Sequence, residues 1–261
     1  TACIRIIHAG QIVGSTDMAN SNNWGEIYNS TWWGDEEWSA NSLKIDSAPP
    51  GFAFTGLLDT FTGAAAAYSV RKLSSTYAGN GIRVRRSSDD TEQDIGFNAS
   101  NELDTAALLS FVGTGGSDNG FVTIWYDQSG NTRNATNTTD AEQPKIVSGG
   151  GLVSVNGKAG IDFDGTDDFL TGAAKTTIDN TAIFCVIQSD SNTQDSVFIQ
   201  NAVNAANLVA IGLGGGGTLN KLGSRLKVGS SNVDHAGDST FTATTQTLVS
   251  FFADNSACQL F

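Results

Sequence analysis

Three sets of side chains could carry chemistry. Asp164, Asp167 and Asp168 fall close together in Phe163-Asp164-Gly165-Thr166-Asp167-Asp168-Phe169. Carboxylates so placed could collect a calcium ion, which takes several oxygen ligands from a loop. The twelve-residue EF-hand pattern is absent and Asp-Gly also opens ordinary hairpin turns, so a plain strand-turn-strand stands beside the calcium reading. Arg71, Lys72, Arg83, Arg85 and Arg86 are five of the 14 basic residues and could form an anion site. Asp89, Asp90, Glu92, Asp94 and Asp127 lie close in sequence or motif, which favours structural ion pairs instead. Trp24, Trp32, Trp33 and Trp38, four of the five tryptophans, could stack on sugar rings or anchor on a neighbouring subunit. Folding back over a sheet is the plainer alternative for them.

Other chemistries lack their residues. His8 and His235 have no nucleophile motif near them, so no Ser-His-Asp arrangement is legible. Cys3, Cys185 and Cys258 are odd in number and widely spaced, describing neither a disulfide framework nor a zinc site. Cys185, inside Ala182-Ile183-Phe184-Cys185-Val186-Ile187, reads as a small core hydrophobe. Gly212 to Gly217 lacks the Lys-Ser/Thr of a phosphate loop and reads as a hairpin connection.

The elements that must position these groups are mostly strands. Ile82 and Val84 alternate with Arg83 and Arg85, a strand with one apolar and one charged face, and Ser87 to Asp90 then turns the chain. Phe121 to Tyr126 is a β-branched and aromatic run suited to a buried strand, with Asp127-Gln128-Ser129-Gly130 as its turn. Later strands are predicted at Ala182–Ile187, Ser196–Ile199, Leu208–Leu213, Lys221–Val228 and Thr247–Phe252. Two short helices are predicted, one over the alanine-rich Ala64 to Leu73 and one over Asp104 to Phe111.

Composition agrees with an all-β chain. Thirty glycines against three prolines, with abundant Ser, Thr and Asn, suit short strands and tight turns. At 261 residues the chain can bury a core without staples. A formal charge of −13 argues against nucleic acid, and no apolar run approaches a membrane span. Ala48-Pro49-Pro50-Gly51 breaks the chain, so residues 1–58 read as an irregular Trp-rich arm and 59–261 as the folded domain. Residues 1–17 read as upstream of a natural start at Met18, and the final hairpin reads as cut short at Phe261.

Ala67-Tyr68-Ser69-Val70-Arg71-Lys72-Leu73, Gly81 to Asp90 and Trp125-Tyr126-Asp127-Gln128-Ser129-Gly130 are followed in order by Asn131, Asn134-Ala135 and Gln143-Pro144-Lys145-Ile146-Val147. Together these strings resemble the catalytic domain of fungal-type α-L-arabinofuranosidases, and more closely a set of tailed-phage virion proteins sharing that domain. The resemblance implies a concanavalin A-like jelly-roll sandwich of two antiparallel sheets. It makes Arg85, Arg86, Trp125, Tyr126, Asp127 and Gln128 a structural core motif, with Arg85 or Arg86 expected to pair with Asp127.

Retaining glycosidases need two carboxyl groups about 5 Å apart. In the family the nucleophilic Glu follows a Cys-Cys-Phe-Asp-Tyr-Gly-Asn-Ala string. The nearest stretch here is Ser196-Val197-Phe198-Ile199-Gln200-Asn201-Ala202, followed by Val203, with Asp195 the nearest acid. The family's acid/base Asp would fall beyond Phe261. The resemblance therefore implies a noncatalytic virion structural protein of a tail, fibre or capsid surface. Its expected partners are other virion proteins or copies of itself, and glycans are candidate ligands. The alternative is a secreted arabinofuranosidase-type glycoside hydrolase. No cofactor is expected beyond the calcium reading.

Overall fold

The computed structural model describes residues 3–8, 11–17, 54–173, 181–190, 196–204, 207–213, 221–228, 231–254 and 257–260. The chain divides into two compact units, Thr1–Ala53 and Phe54–Phe261. In the first, β1 (Cys3–His8) and β2 (Gln11–Asp17) pair as an antiparallel hairpin.

The second unit opens with α1 (Leu57–Thr60), a single turn whose Gly56 N–H donates to Asp59 Oδ2 at 2.7 Å. Next come β3 (Ile82–Arg86), β4 (Glu92–Ile95), α2 (Thr105–Val112) and β5 (Gly120–Trp125). They are followed by β6 (Ala135–Thr136), β7 (Lys145–Ser148) and β8 (Gly151–Leu152). These strands form one antiparallel sheet in the order β4-β3-β5-β7-β8, with β6 beside the end of β5. The hairpin β9 (Ser154–Val155) and β10 (Lys158–Ala159) follows.

Ile82, Val84, Ile95, Leu103, Leu108, Val112, Val122, Ile146 and Val147 close into one buried cluster. The expected apolar face of β3 is thus real, since Ile82 and Val84 are fully buried. Asp104 caps α2 by accepting from the Ala107 N–H at 3.0 Å, and Leu108 and Val112 supply its buried face. Gly120 is fixed by close approach: a Cβ there would lie 2.9 Å from Val112 Cγ2 and 3.1 Å from Val84 Cγ1.

Between β3 and β5 the register steps from Arg83 opposite Ile124 to Val84 opposite Val122, so Thr123 is an extra residue, a β-bulge. Val122 and Trp125, three residues apart, both reach the core cluster as a result.

The remaining strands are β11 (Thr181–Ile187), β12 (Ser196–Asn204), β13 (Asn207–Leu213) and β14 (Lys221–Val228). They are completed by β15 (Ser231–Thr240), β16 (Thr247–Asp254) and β17 (Ala257–Leu260). β12-β13-β14-β15 is an antiparallel meander, and β11-β16-β17 form a three-stranded antiparallel sheet. A second buried cluster holds Ile211, Val249 and Phe251. Burial pushes the Cys185 thiol up to about 11, in keeping with its reading as an inert hydrophobe.

Two expectations are corrected. Ala64 to Leu73 is not helical, because its backbone groups are bonded to residues far along the chain. Ala67 O accepts from Gln128 N, Val70 O from Leu103 N, and the Lys72 N–H donates to Asn101 O. Tertiary bonds override local propensity there. The flanks of Asp164 to Asp168 are not regular strands but single bridges, Lys145 with Asp162 and Thr136 with Thr171. Ser231–Thr240, too polar to be read as a strand, is one because β14 supplies its partners.

Candidate functional site

The string following β5 is a set of clamps. Asp127 is buried, and its carboxylate accepts the N–H groups of Ala67 (2.8 Å), Ser129 (2.9 Å) and Arg133 (3.0 Å) and the Ser129 hydroxyl (2.8 Å). Burial would raise its pKa, but these donors together hold it below the usual value. Gln128 Oε1 accepts from Leu73 N at 2.8 Å, while Nε2 donates to Ser69 O (3.0 Å) and Arg71 O (2.9 Å). The two adjacent side chains thus fix residues 67–73 in their extended path.

Trp125 lies against Tyr68, ring centroids 5.8 Å apart, and the Tyr68 hydroxyl donates to Arg133 O. Tyr126 donates to Asp94 Oδ1 at 2.7 Å, and Arg83 holds both oxygens of the same carboxylate at 2.6 and 3.0 Å. Burial and the Asp94 hydrogen bond push Tyr126 up to about 12.

The pairing of Arg85 or Arg86 with Asp127 is overturned. Arg85, 7% exposed, donates to Asp90 Oδ1 (2.6 Å), Gln143 Oε1 (2.8 Å) and Asp140 O (3.1 Å), and lies over the Phe121 ring at 4.7 Å. Arg86 grips Asp89 through two bonds of 2.7 Å. The register explains the difference. Arg85 stands opposite Phe121, whereas Asp127 lies two residues past the far end of β5, about 17 Å further along the chain direction once the bulged residue is left out. Burial of Arg85 also breaks the expected charged face of β3. Asp90 reaches it because the turn holds Asp90 at φ 59°.

Beside the clamps an open cleft of about 570 Å³ is lined by Asp59, Ser74, Thr76, Tyr77, Gln128 and Ser129 among others. Asp59 is the carboxylate of its lining, and it accepts from Ser74 Oγ (2.7 Å), Gly56 N (2.7 Å) and Ser75 N (2.8 Å). The Ser74 hydroxyl and these N–H groups hold it well below the usual carboxylate range. A group so held stays ionised and is unsuited to protonating a leaving group.

Asp164, Asp167 and Asp168 bring ligand oxygens within 4.8 Å of one another, two of them exposed. Asp164 Oδ1 accepts from Thr166 N at 2.8 Å, and Asp168 Oδ2 from Asp164 N at 2.9 Å, so part of this capacity closes the turn itself. The Thr166 N–H holds Asp164 low, whereas burial and then the neighbouring carboxylates push Asp168 up. The three side chains carry six carboxylate oxygens, of which Asp164 Oδ1 and Asp168 Oδ2 already accept from the turn, against the six to eight a calcium ion takes.

The remaining sequence-derived positions divide. Trp24, Trp32, Trp33 and Trp38, the break at Ala48 to Gly51, Asp195 and most of the Gly212 to Gly217 connection lie outside the described residues. Val203 falls on β12, at the register shift between Ala202 and Asn204. Sequence reading missed several clamps. Asn134 Oδ1 accepts the Asp127 N–H (3.1 Å), and Asn131 Nδ2 donates to Ala64 O (2.9 Å). Asn137 Nδ2 donates to Glu142 O (2.9 Å) and Phe169 O (3.0 Å). Their signal was the run of amide side chains after the main string, where an irregular path leaves backbone groups to be satisfied.

Comparison with known proteins agrees with this architecture. The family described as Alpha-L-arabinofuranosidase B, catalytic, matches residues 59–167. A GH54 α-L-arabinofuranosidase soaked with a cyclic sulfate inhibitor superposes with TM-score 0.58 at 19% identity, covering 79% of this chain and 50% of that one. A mutant GH54 enzyme soaked with 4-nitrophenyl α-L-arabinofuranoside gives 0.59 at 19% identity and the same coverage. An arabinofuranosidase complexed with arabinofuranosyl-α-1,2-xylobiose gives 0.54 at 18%, again over 79% and 50%. The chain therefore spans half the length of these structures. No curated protein matches the sequence. The likeness to solved structures is one of fold, a β-sandwich of antiparallel sheets, and with the family match it gives the chain an arabinofuranosidase-like domain.

Proposed function

We propose that this arabinofuranosidase-like domain is a noncatalytic, glycan-binding structural module of a tailed-phage virion, in a tail, fibre or capsid-surface component. The observation that carries the noncatalytic half is Val203. The resemblance places the family's nucleophilic Glu there, and an isopropyl group can neither attack an anomeric carbon nor balance charge on an oxocarbenium-like transition state. The cleft supports the same reading, because its carboxylate Asp59 is tied to three donors that close α1 and its neighbouring loop. Glycan binding follows from the kinds of protein the domain resembles, and the virion setting from the tailed-phage strings. A second reading, a hydrolase of arabinofuranosides, is favoured by the family match over residues 59–167.

One pair of measurements separates them. The purified chain and a Val203→Glu variant are assayed for 4-nitrophenol release from 4-nitrophenyl α-L-arabinofuranoside. In parallel, retardation of the parent is followed in gels containing arabinan or arabinoxylan. The expected result is retardation with no release by the parent. Turnover by the parent that is abolished by replacing a single carboxylate establishes the hydrolase, and a parent that neither turns over nor is retarded removes the glycan role. Detection of the chain in density-purified phage particles tests the virion setting.

A further inference from the structure

β11 and β16 are apolar on both faces. Ile183, Cys185 and Ile187 pack against the Ile211, Val249 and Phe251 cluster. On the opposite face Phe184 is 64% exposed, Val186 63%, Leu248 65% and Phe252 42%. An apolar outer face departs from the usual antiparallel pattern, in which the face away from the core is polar.

We propose that this outer face docks on the same face of a second copy of the chain, giving a two-fold symmetric, sheet-on-sheet dimer. The antiparallel register sets three rows across the face: Ala182 opposite Phe252, Phe184 opposite Ser250, and Val186 opposite Leu248. In the first two rows the large residue stands on opposite strands. A two-fold axis running along the strands lays β11 of one copy over β16 of the other. Phe184 then meets Ser250, Phe252 meets Ala182, and Val186 meets Leu248. Large faces small, the interdigitation by which stacked sheets fill the space between them. Such an arrangement is self-complementary, as an isologous interface must be.

Size fits the same occupant, and the face itself carries no charge. The four exposed apolar side chains present on the order of 400 Å². This is about half of the ~800 Å² each partner buries in a stable interface, in keeping with an apolar centre and a polar rim. None of the six residues in the three rows is charged, so this face adds nothing to the repulsion that a net charge of −13 sets between copies and against which the apolar contact must work.

Sedimentation equilibrium of the whole chain from low to high micromolar concentration tests the proposal. The parent is expected to associate to a dimer, and Phe184→Asp to raise the dissociation constant about 100-fold or more. Phe184 is largely exposed, so Phe184→Asp is expected to keep the parental circular dichroism. A parent that stays monomeric throughout, or a folded Phe184→Asp chain that dimerises like the parent, overturns the proposal. Hydroxyl-radical footprinting of the unsubstituted chain keeps the test open should that variant misfold. Protection of Phe184 and Leu248 that grows with concentration supports the dimer, and equal labelling at all concentrations refutes it.

Discussion

Residues 54–172 and the strands from β11 onward solve the same problem, an antiparallel sheet with a buried side, in different ways. The first region joins a nine-residue apolar cluster to side chains that reach across the sequence to hold irregular backbone. Asp127 bonds Ala67 sixty residues away, Gln128 bonds Leu73, and Arg85 bonds Gln143. The second region is built largely of sequential hairpins, with Ile211, Val249 and Phe251 as its buried cluster among the described residues. Hydrophobic burial drives both, yet in the first the path of the loops is also specified by polar side chains, Asp127 and Gln128 above all, bonded to particular backbone groups.

The largest effect is expected where that specification concentrates. Asp127→Ala leaves three backbone N–H groups without their acceptor and should cost about 4 kcal/mol, read from urea denaturation. A loss under 1 kcal/mol would mean that the clamps follow the fold rather than define it. Phe251→Ala, in the other region, should cost about 3–4 kcal/mol through lost burial and a cavity. If fluorescence and circular dichroism then report one shared transition for both variants, the two regions unfold as a unit. Separate transitions would sharpen the contrast into two cooperative blocks.

Arg85→Met should cost about 2 kcal/mol. Its carboxylate partners are well exposed, Asp90 66% and Asp140 64%, and return to water, whereas Gln143 Oε1 is left buried and unpaired. A loss of 4 kcal/mol or more would show that these carboxylates are not rehydrated.

This pairing also marks what the sequence made legible. The alternation around Ile82 and Val84, the Phe121 to Trp125 strand and the Asp104 cap are local patterns, and local patterns survive folding. The partner of Arg85 depended on register, which a bulge and a left-handed Asp90 decide. The extended path of Ala64 to Leu73 depended on acceptors and donors that arrive sixty residues later. β15, with Asn232, Asp234, His235 and Asp238, has no apolar alternation and becomes a strand through its neighbour. In the candidate site, Asp127 and Gln128 were legible as a motif, but their employment as backbone ligands was not.

pH acts on both regions: the Cys185 thiol of the second, raised to about 11 by burial, shares in the alkaline decline of stability, whereas Asp94 and Asp127 of the first act on the acid side. Asp94 and Asp127 have folded pKa values below their unfolded ones, Asp94 chiefly through Arg83 and Asp127 through its N–H donors against burial. Their contribution is complete above about pH 4 and is lost as pH falls through the lower folded values. Tyr126 is the reverse case. Its phenol ionises near 10 when unfolded and near 12 when folded, so stability declines as pH rises from about 10 toward 12. Tyr126→Phe should flatten that alkaline decline and cost about 1 kcal/mol at neutral pH. An unchanged alkaline slope would show that another group titrates there. At the small end, Lys158→Ala removes a 3.2 Å contact between exposed Lys158 and Glu102, and should change stability by less than about 0.5 kcal/mol.

The extra residue in β5 acts like a phase shift in a two-beat rhythm. With Thr123 present, Val122 and Trp125 point the same way although an odd number of positions separates them. Everything downstream inherits that phase: Tyr126 turns outward to Asp94, and Asp127 inward to the Ala67 segment. Removing Thr123 would leave Val122, Ile124 and Trp125 in plain alternation opposite Val84, Arg83 and Ile82, so the indole would keep its present side. The extra residue therefore adds length without changing which side chains face the core, and its carbonyl, which accepts from Asn137 N at 3.1 Å, ties the strand to the segment just after β6.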